Sequence, residues 1–198
     1  MLRVACACLI ALTLVVPLHA TTVADFTIEE LARFAHAGVR ARVVATSRSD
    51  AGLARLDLDV DEVLFGQIPD SRLSLELDVS VAGMPELRLG DDVVLFLNFN
   101  NRVEKIIGLR WGTYRLRNGE MFDHDWRPLE LTIETPVTRG TGLANALEQR
   151  RPREFLRRRL GGGGGSLPFA QMKTVVHAVR QRLIAEGTPL ATDESIGN

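Results

Sequence analysis

The densest group of side chains that could bind a metal or transfer protons is Asp123-His124-Asp125. In a strand, the two aspartates would share one face and the histidine would point away, whereas in a turn all three could meet. Metal sites usually take a third or fourth ligand from a distant segment, and the pattern supplies none. We therefore expect a solvated loop beside Trp126 that binds no metal and no cofactor.

A second carboxylate group consists of Asp57, Asp59 and Asp61, which alternate with apolar residues. Neighbours in this group would lie on one strand face about 6–7 Å apart, a spacing that could suit the acid and base of a glycosidase. Aspartate is a poor strand residue unless its side chain faces water. The alternation therefore favours a solvated outer face.

The sequence carries no recognisable nucleophile with its base. Ser47, Ser49 and Asp50 share a loop, but no G-x-S-x-G elbow is present. His36 and His177 fall on predicted helices, where structural or solvated roles are expected, and no phosphate-binding glycine loop occurs. This pattern favours a non-catalytic protein, although a hydrolase assembled from distant residues is the alternative.

A basic and aromatic patch lies on a predicted hairpin, at Arg110, Trp111, Tyr114, Arg115 and Arg117. Small barrels bind ligands across such strands, so Arg110, Trp111 and Tyr114 are candidate partner-binding residues. The alternative is that Trp111 and Tyr114 fill the core of a chain that is only 6% aromatic, while the arginines solvate it.

A second basic group follows a body rich in carboxylates. It either folds back onto that acidic body or meets an anionic surface such as envelope lipid or polysaccharide, and it supplies further candidate partner-binding residues. Its six members are Arg150, Arg151, Arg153, Arg157, Arg158 and Arg159.

The elements that would position these residues belong to a chain of 198 residues with a net charge of -1. Residues 1–20 have a cationic start, an apolar run and a terminal Ala20, which predicts a secretory signal peptide. The run is short for a membrane span, although a retained anchor is the alternative. Cys6 and Cys8 lie inside it, so the mature chain is expected to lack disulfides and thiol chemistry. The near-neutral charge argues against nucleic-acid binding.

A helix is predicted within residues 21–37. Thr27 and Glu30 form a capping box, Phe26 and Leu31 stand where a hydrophobic staple packs, and Gly38 is the expected stop. From residue 38 the apolar period changes to two, which predicts strands over 39–45, 56–60 and 73–79.

The apolar run at 92–99 predicts a central strand that is buried on both faces. Shorter strands are expected at 103–109 and 113–116, a hairpin turn at Asn118-Gly119, and a last strand at 129–133. The predicted fold is mainly β, a small OB-like or netrin-like barrel over residues 38–135.

Residues 136–166 read as a basic, glycine-rich linker, residues 167–186 as a helix capped by Ser166, and residues 187–198 as a tail. The helix either docks on the barrel or tethers the protein elsewhere. Its apolar stripe consists of Phe169, Met172, Val176, Val179 and Leu183.

Three segments, VDEVLFG at 60–66, LGDDVVLFL at 89–97 and GLRWGTY at 108–114, resemble an uncharacterised family of secreted bacterial β-barrel proteins. The resemblance implies a secreted barrel and no known catalytic residue. A weaker similarity is to netrin-like barrels, including tissue inhibitors of metalloproteinases. Those inhibitors bind the protease zinc through an N-terminal cysteine, which a chain starting at Thr21 lacks.

The function that these patterns favour is a secreted or periplasmic, non-catalytic binding or interaction module. Its partner would be an envelope or extracellular protein or an anionic surface, with no nucleic acid, no cofactor and no transmembrane segment in the mature chain. The alternatives are an extracytoplasmic hydrolase, a protease-inhibitor-like regulator and a structural envelope protein. A deep pocket that holds His124 with two carboxylates would favour the hydrolase.

Overall fold

A computed structural model describes residues 26–48, 53–81, 83–99, 106–134, 153–158 and 165–191. Within these ranges the chain is mainly β, as predicted, with a helix near each end. In chain order the elements are α1 (Ile28–Phe34), β1 (Ala37–Arg48), β2 (Ala54–Phe65), β3 (Arg72–Leu77), β4 (Asp92–Leu97), a 3₁₀ turn (Leu109–Gly112), β5 (Thr113–Arg117), β6 (Glu120–Phe122), β7 (Leu129–Glu134), β8 (Arg153–Arg158) and α2 (Phe169–Ala185).

Six of the strands form one antiparallel sheet in the order β3-β2-β1-β4-β5-β6, and β7 pairs with β8 in a separate hairpin. Among the described residues, no pairing joins β3 to β5 or β6, so the sheet does not close into a barrel.

The central strand is β4, and the prediction that both of its faces are buried is confirmed. Residues 93–97 are all inaccessible to solvent. Because side chains alternate along a strand, Val94 and Phe96 enter a first core, and Val93, Leu95 and Leu97 enter a second core on the opposite face.

The first core lies between the sheet and the two helices, and the second is enclosed by β1 to β4. Leucines of β3 pack in the same cluster as Leu95, although β3 lies three strands away from β4. Three register shifts between β1 and β2 account for this, because such bulges bend a strand and increase its twist.

Helix α1 begins with the predicted capping box. Thr27 Oγ1 accepts the Glu30 N–H at 3.0 Å, and Glu30 Oε2 accepts the Thr27 N–H at 2.8 Å. The predicted stop at Gly38 is wrong, since the helix ends at Phe34 and Gly38 belongs to β1. Glycine is needed there for a different reason: a Cβ would lie 2.6 Å from the Phe65 ring.

Helix α2 docks on the body of the protein through the predicted stripe, all five members of which are buried. Arg180 donates to the Ala32 carbonyl at 2.7 Å, and Arg182 pairs with Glu29 at 3.0 Å. Burial lowers the pKa of Arg180. The predicted cap is wrong: the N-cap is Pro168, and the Ser166 hydroxyl instead joins β6 and β7 through Met121 and Leu129.

Two further expectations are corrected. The described part of the predicted strand at 103–109 is a bridge at Ile106 followed by the 3₁₀ turn, and residues 101–105 lie outside the description. The turn is tight, because a Cβ at Gly112 would lie 1.9 Å from the Ile107 carbonyl.

The predicted linker contains β8, which pairs with β7 so that Leu156 lies opposite Leu131 and Arg157 opposite Glu130.

None of the helices in the described ranges combines the length and hydrophobicity needed to cross a lipid bilayer.

Candidate functional site

A cleft of about 570 Å³ opens beside β5, a volume typical of small-molecule sites. Its walls come from the segment before β4, from β5 itself and from the loop that follows β6. The lining residues are Met84, Pro85, Glu86, Arg88, Asp91, Arg115, Arg117, His124, Asp125 and Trp126.

Strand β5 builds one wall because its sequence TYRLR alternates between two environments. Tyr114 and Leu116 enter the first core, so Arg115 and Arg117 must lie on the opposite face, where both line the cleft. Asn118 and Gly119 then turn the chain into β6 with φ of 54° and 78°. Positive φ at both positions is the signature of a type I′ hairpin, which is the turn that the sequence predicts.

Arg115 ties this wall to the segment before β4. Its Nη1 lies 2.9 Å from Asp91 Oδ2, its Nη2 donates to the Glu86 carbonyl at 2.5 Å, and the two charged side chains are only 8% and 13% exposed. Asp91 Oδ2 also accepts the backbone N–H of Arg88 at 2.9 Å. Two adjacent walls of the cleft are thus held together by a nearly buried ion pair.

The third wall is a short loop folded around Asp123. Asp123 Oδ1 accepts the backbone N–H groups of Asp125 at 2.8 Å and Arg127 at 2.9 Å, an Asx turn. Trp126 follows with φ of 61°, a left-handed conformation that is strained for a bulky residue. This backbone leaves Trp126 37% exposed while its ring packs 5.9 Å from that of Phe122.

Two guanidinium groups lie near the Trp126 ring. The Arg117 carbon Cζ is 4.5 Å from the ring centroid and that of Arg115 is 5.1 Å away, both within the range of cation–π attraction. Arg117 itself is exposed. Trp126 therefore contacts the guanidinium of Arg117 within the lining of the cleft.

The cleft also contains His124, which among the described residues is the only histidine that lies within ion-pair distance of a carboxylate. His124 Nε2 lies 3.4 Å from Asp125 Oδ2, and the histidine side chain is 14% exposed. Within the described residues, no three His, Cys, Asp or Glu side chains are grouped so that they could hold a metal ion. In the triplet Asp123-His124-Asp125, one oxygen of Asp123 is used to close its own loop.

The predicted partner-binding patch is divided by the fold. Tyr114 is 4% exposed and meets Phe96 edge-on at 6.3 Å, so it belongs to the core and is not available to a partner. The alternation of β5 is the reason, and it leaves Arg115 and Arg117 on the cleft side. Arg110 and Trp111 lie in the 3₁₀ turn, but the description does not extend to their side chains.

The second basic group is only partly described. Arg153, Arg157 and Arg158 lie on β8, where Arg157 is half-buried, and Arg150, Arg151 and Arg159 fall outside the described residues. Sequence reasoning missed Glu86, Arg88 and Asp91. The Gly90-Asp91 turn was the available signal, but it does not reveal that Asp91 meets Arg115.

The aspartates of β2 form a cross-strand ladder with β3. Asp57 accepts hydrogen bonds from Ser74 at 2.5 Å and Arg55 at 3.4 Å, and Asp59 pairs with Arg72 at 2.8 Å. The Ser74 hydroxyl lowers the pKa of Asp57. These ion pairs lie on a partly exposed outer face, as the sequence indicates.

The remaining candidates for proton transfer are dispersed. His36 is buried just after α1, with its ring 6.3 Å from that of Phe99, and His177 is exposed on α2. Ser47 is exposed at the end of β1, and Ser49 and Asp50 lie outside the described residues.

The chain has no significant match to a protein-family model, to a curated protein or to a solved structure. The resemblance to secreted bacterial β-proteins therefore stays a prediction.

Proposed function

We propose that the protein is a secreted or periplasmic, non-catalytic binding module and that the cleft beside β5 is its ligand site. The observation that carries the proposal is Trp126, which is held in a left-handed backbone conformation so that an exposed indole lines a cleft. Strained residues of this kind cluster at functional sites because the surrounding structure must maintain them.

The construction of the cleft supports binding. The ion pair between Arg115 and Asp91 connects two walls before any ligand arrives, and a preformed site loses less entropy on binding. Its described lining contains no hydroxyl, thiol or amine nucleophile, and Asp91, one of its carboxylates, is paired with Arg115.

For the fold, we propose an open barrel of the OB-like or netrin-like type, related to the secreted bacterial β-proteins named above. The support is the curvature of the sheet, in which the leucines of β3 pack in the same core as Leu95 of β4. Bulges between β1 and β2 supply the bend.

A retention experiment tests the binding function. Immobilised protein would be incubated with the small-molecule fraction of the bacterial envelope, and the retained compounds would be identified by mass spectrometry. We expect at least one compound that is retained by the wild type and lost in Trp126→Ala. The exposed Arg42, which does not line the cleft, supplies the control Arg42→Ala. Identical retained sets for wild type and Trp126→Ala would refute the proposed site.

Export is tested separately by N-terminal sequencing of protein from the periplasm or the medium. We expect the mature chain to begin at Thr21 or Asp25. Recovery of the uncleaved chain from the inner membrane would refute secretion.

One observation favours a second candidate, an extracytoplasmic hydrolase. The cleft contains His124 beside Asp125, together with the carboxylate of Glu86, and such a set could activate a water molecule by general base catalysis. A hydrolase would turn over a member of a chromogenic ester and glycoside panel and lose that activity in His124→Gln. A binding module would show no turnover in either protein.

A further inference from the structure

The cleft contains cations whose charge is already balanced and cations whose charge is not. Arg115 is neutralised by Asp91, and Asp125 lies within 4 Å of both His124 and Arg127. Among the described residues, Arg88 and Arg117 have no carboxylate within ion-pair distance, and Glu86 has no cationic side chain within that distance. Two guanidinium groups and one carboxylate therefore remain for a ligand.

Arg117 is oriented for recognition by its position on Trp126. A guanidinium that lies over an aromatic ring can still offer its N–H groups at the edge of its plane. These groups match the two oxygens of a carboxylate in a bidentate pair. The exposed Arg88 lies on the adjacent wall, in the segment before β4, where Asp91 accepts its backbone N–H.

From this arrangement we infer that the cleft binds a small molecule through one carboxylate group. Arg117 and Arg88 bind the carboxylate, and Arg115 is a positioning residue. The unpaired groups of the cleft sum to a single positive charge, which a monoanion neutralises. Glu86 selects against a second negative charge, because like charges repel at short distance. Glu86 is also available to accept hydrogen bonds from hydroxyl or ammonium groups of the same ligand.

The inference rests on the proposed function and narrows it to a ligand class. Two sources share this chemistry, a small organic acid and an acidic sugar. Isothermal titration calorimetry on the full mature protein would use lactate for the first and glucuronate for the second. Glucose is the matched neutral probe for glucuronate, and inorganic phosphate tests for general anion binding.

We expect lactate or glucuronate to bind and glucose not to bind. Arg117→Gln and Arg88→Gln should each weaken carboxylate binding about tenfold or more, the usual effect of losing a hydrogen bond between charged groups. Arg42→Gln, an exposed arginine outside the cleft, should leave it unchanged. Glu86→Gln should strengthen the binding of phosphate relative to lactate, because it removes the repulsion.

Any of four results would overturn the inference. Two concern the wild type: equal binding of glucose and glucuronate, or tighter binding of phosphate than of either carboxylate. The third is an unchanged carboxylate affinity in both arginine variants, and the fourth is no heat of binding from either carboxylate at about 10 mM, a concentration that detects even a millimolar Kd. The retention experiment decides the proposed function independently. A neutral compound that is retained only when Trp126 is present would support the proposed binding function and refute a carboxylate as the ligand class.

Discussion

Replacing Asp91 by asparagine tests whether the ion pair with Arg115 organises the cleft. The substitution keeps the size of the side chain and removes its charge. Arg115 would retain its hydrogen bond to the Glu86 carbonyl, but its charge would lose its partner while remaining almost inaccessible to water.

The expected loss in the free energy of unfolding is about 3 kcal/mol, since breaking a buried pair by removing one partner costs about 3–5 kcal/mol. The lower end applies because both side chains retain some contact with solvent, at 8% and 13% exposure. The double variant Asp91→Asn/Arg115→Met removes the unpaired charge and should recover most of this loss, because apolar replacements of buried pairs are often neutral or stabilising.

Urea unfolding followed by circular dichroism gives these free energies, provided that the m-value does not change between variants. Asp59→Asn is the matched control, because Asp59 forms an exposed pair with Arg72 and should change stability by less than about 0.5 kcal/mol. If Asp91→Asn cost no more than Asp59→Asn, the ion pair would contribute nothing to holding the walls together, and the cleft would not be preformed by it.

The remaining predictions concern the core, the C-terminal helix and the outer face. Phe96→Ala should cost about 3–5 kcal/mol in urea unfolding, because the ring is fully buried in the central strand, and a loss below about 1 kcal/mol would contradict that position. Met172→Ala should cost about 2–5 kcal/mol if α2 docks in solution, whereas Ile184→Ala, on the exposed side of the helix, should have little effect; equal losses would indicate an undocked helix. Because the pKa of Asp57 is lower in the folded protein, its ionised carboxylate stabilises the fold at pH values above the pKa of the unfolded chain, about 3.9. This stabilisation is lost as the pH falls through the pKa of the folded protein. The melting temperature of Asp57→Asn should therefore depend less on pH below about pH 4, and a curve parallel to that of the wild type would refute this.

Local patterns predicted the elements whose structure is decided by near neighbours. The capping box at Thr27 and Glu30 involves residues three apart, and the apolar stripe of α2 follows from the helical period. The apolar run of β4 indicated burial on both faces without revealing which strands lie beside it. The β8 strand was missed because its six residues are mostly charged, and only their pairing with β7 makes them a strand.

The candidate site was predictable in its parts but not in its assembly. The period of two in TYRLR already separates Tyr114 from Arg115, so the core position of the tyrosine was available from the sequence. The contact between Arg115 and Asp91 depends on the pairing of β4 with β5, which places Val93 opposite Arg115. Such a contact between distant segments has no signature in the local pattern. The left-handed conformation of Trp126 likewise arises from hydrogen bonds to Asp123, in a sequence without glycine.

The contacts of α2 with α1 also determine when the protein can fold. Arg180 binds the Ala32 carbonyl, Arg182 pairs with Glu29, and the backbone N–H of Ala191 donates to the Arg33 carbonyl at 2.9 Å. Helix α1 is therefore covered by α2. The first core consequently cannot be completed until almost the whole chain has left the ribosome. The second core has no such requirement, because its strands lie within residues 37–106. A nascent chain should consequently build the β1–β4 side early and remain open on its helical side until residues 169–191 are available to cover α1.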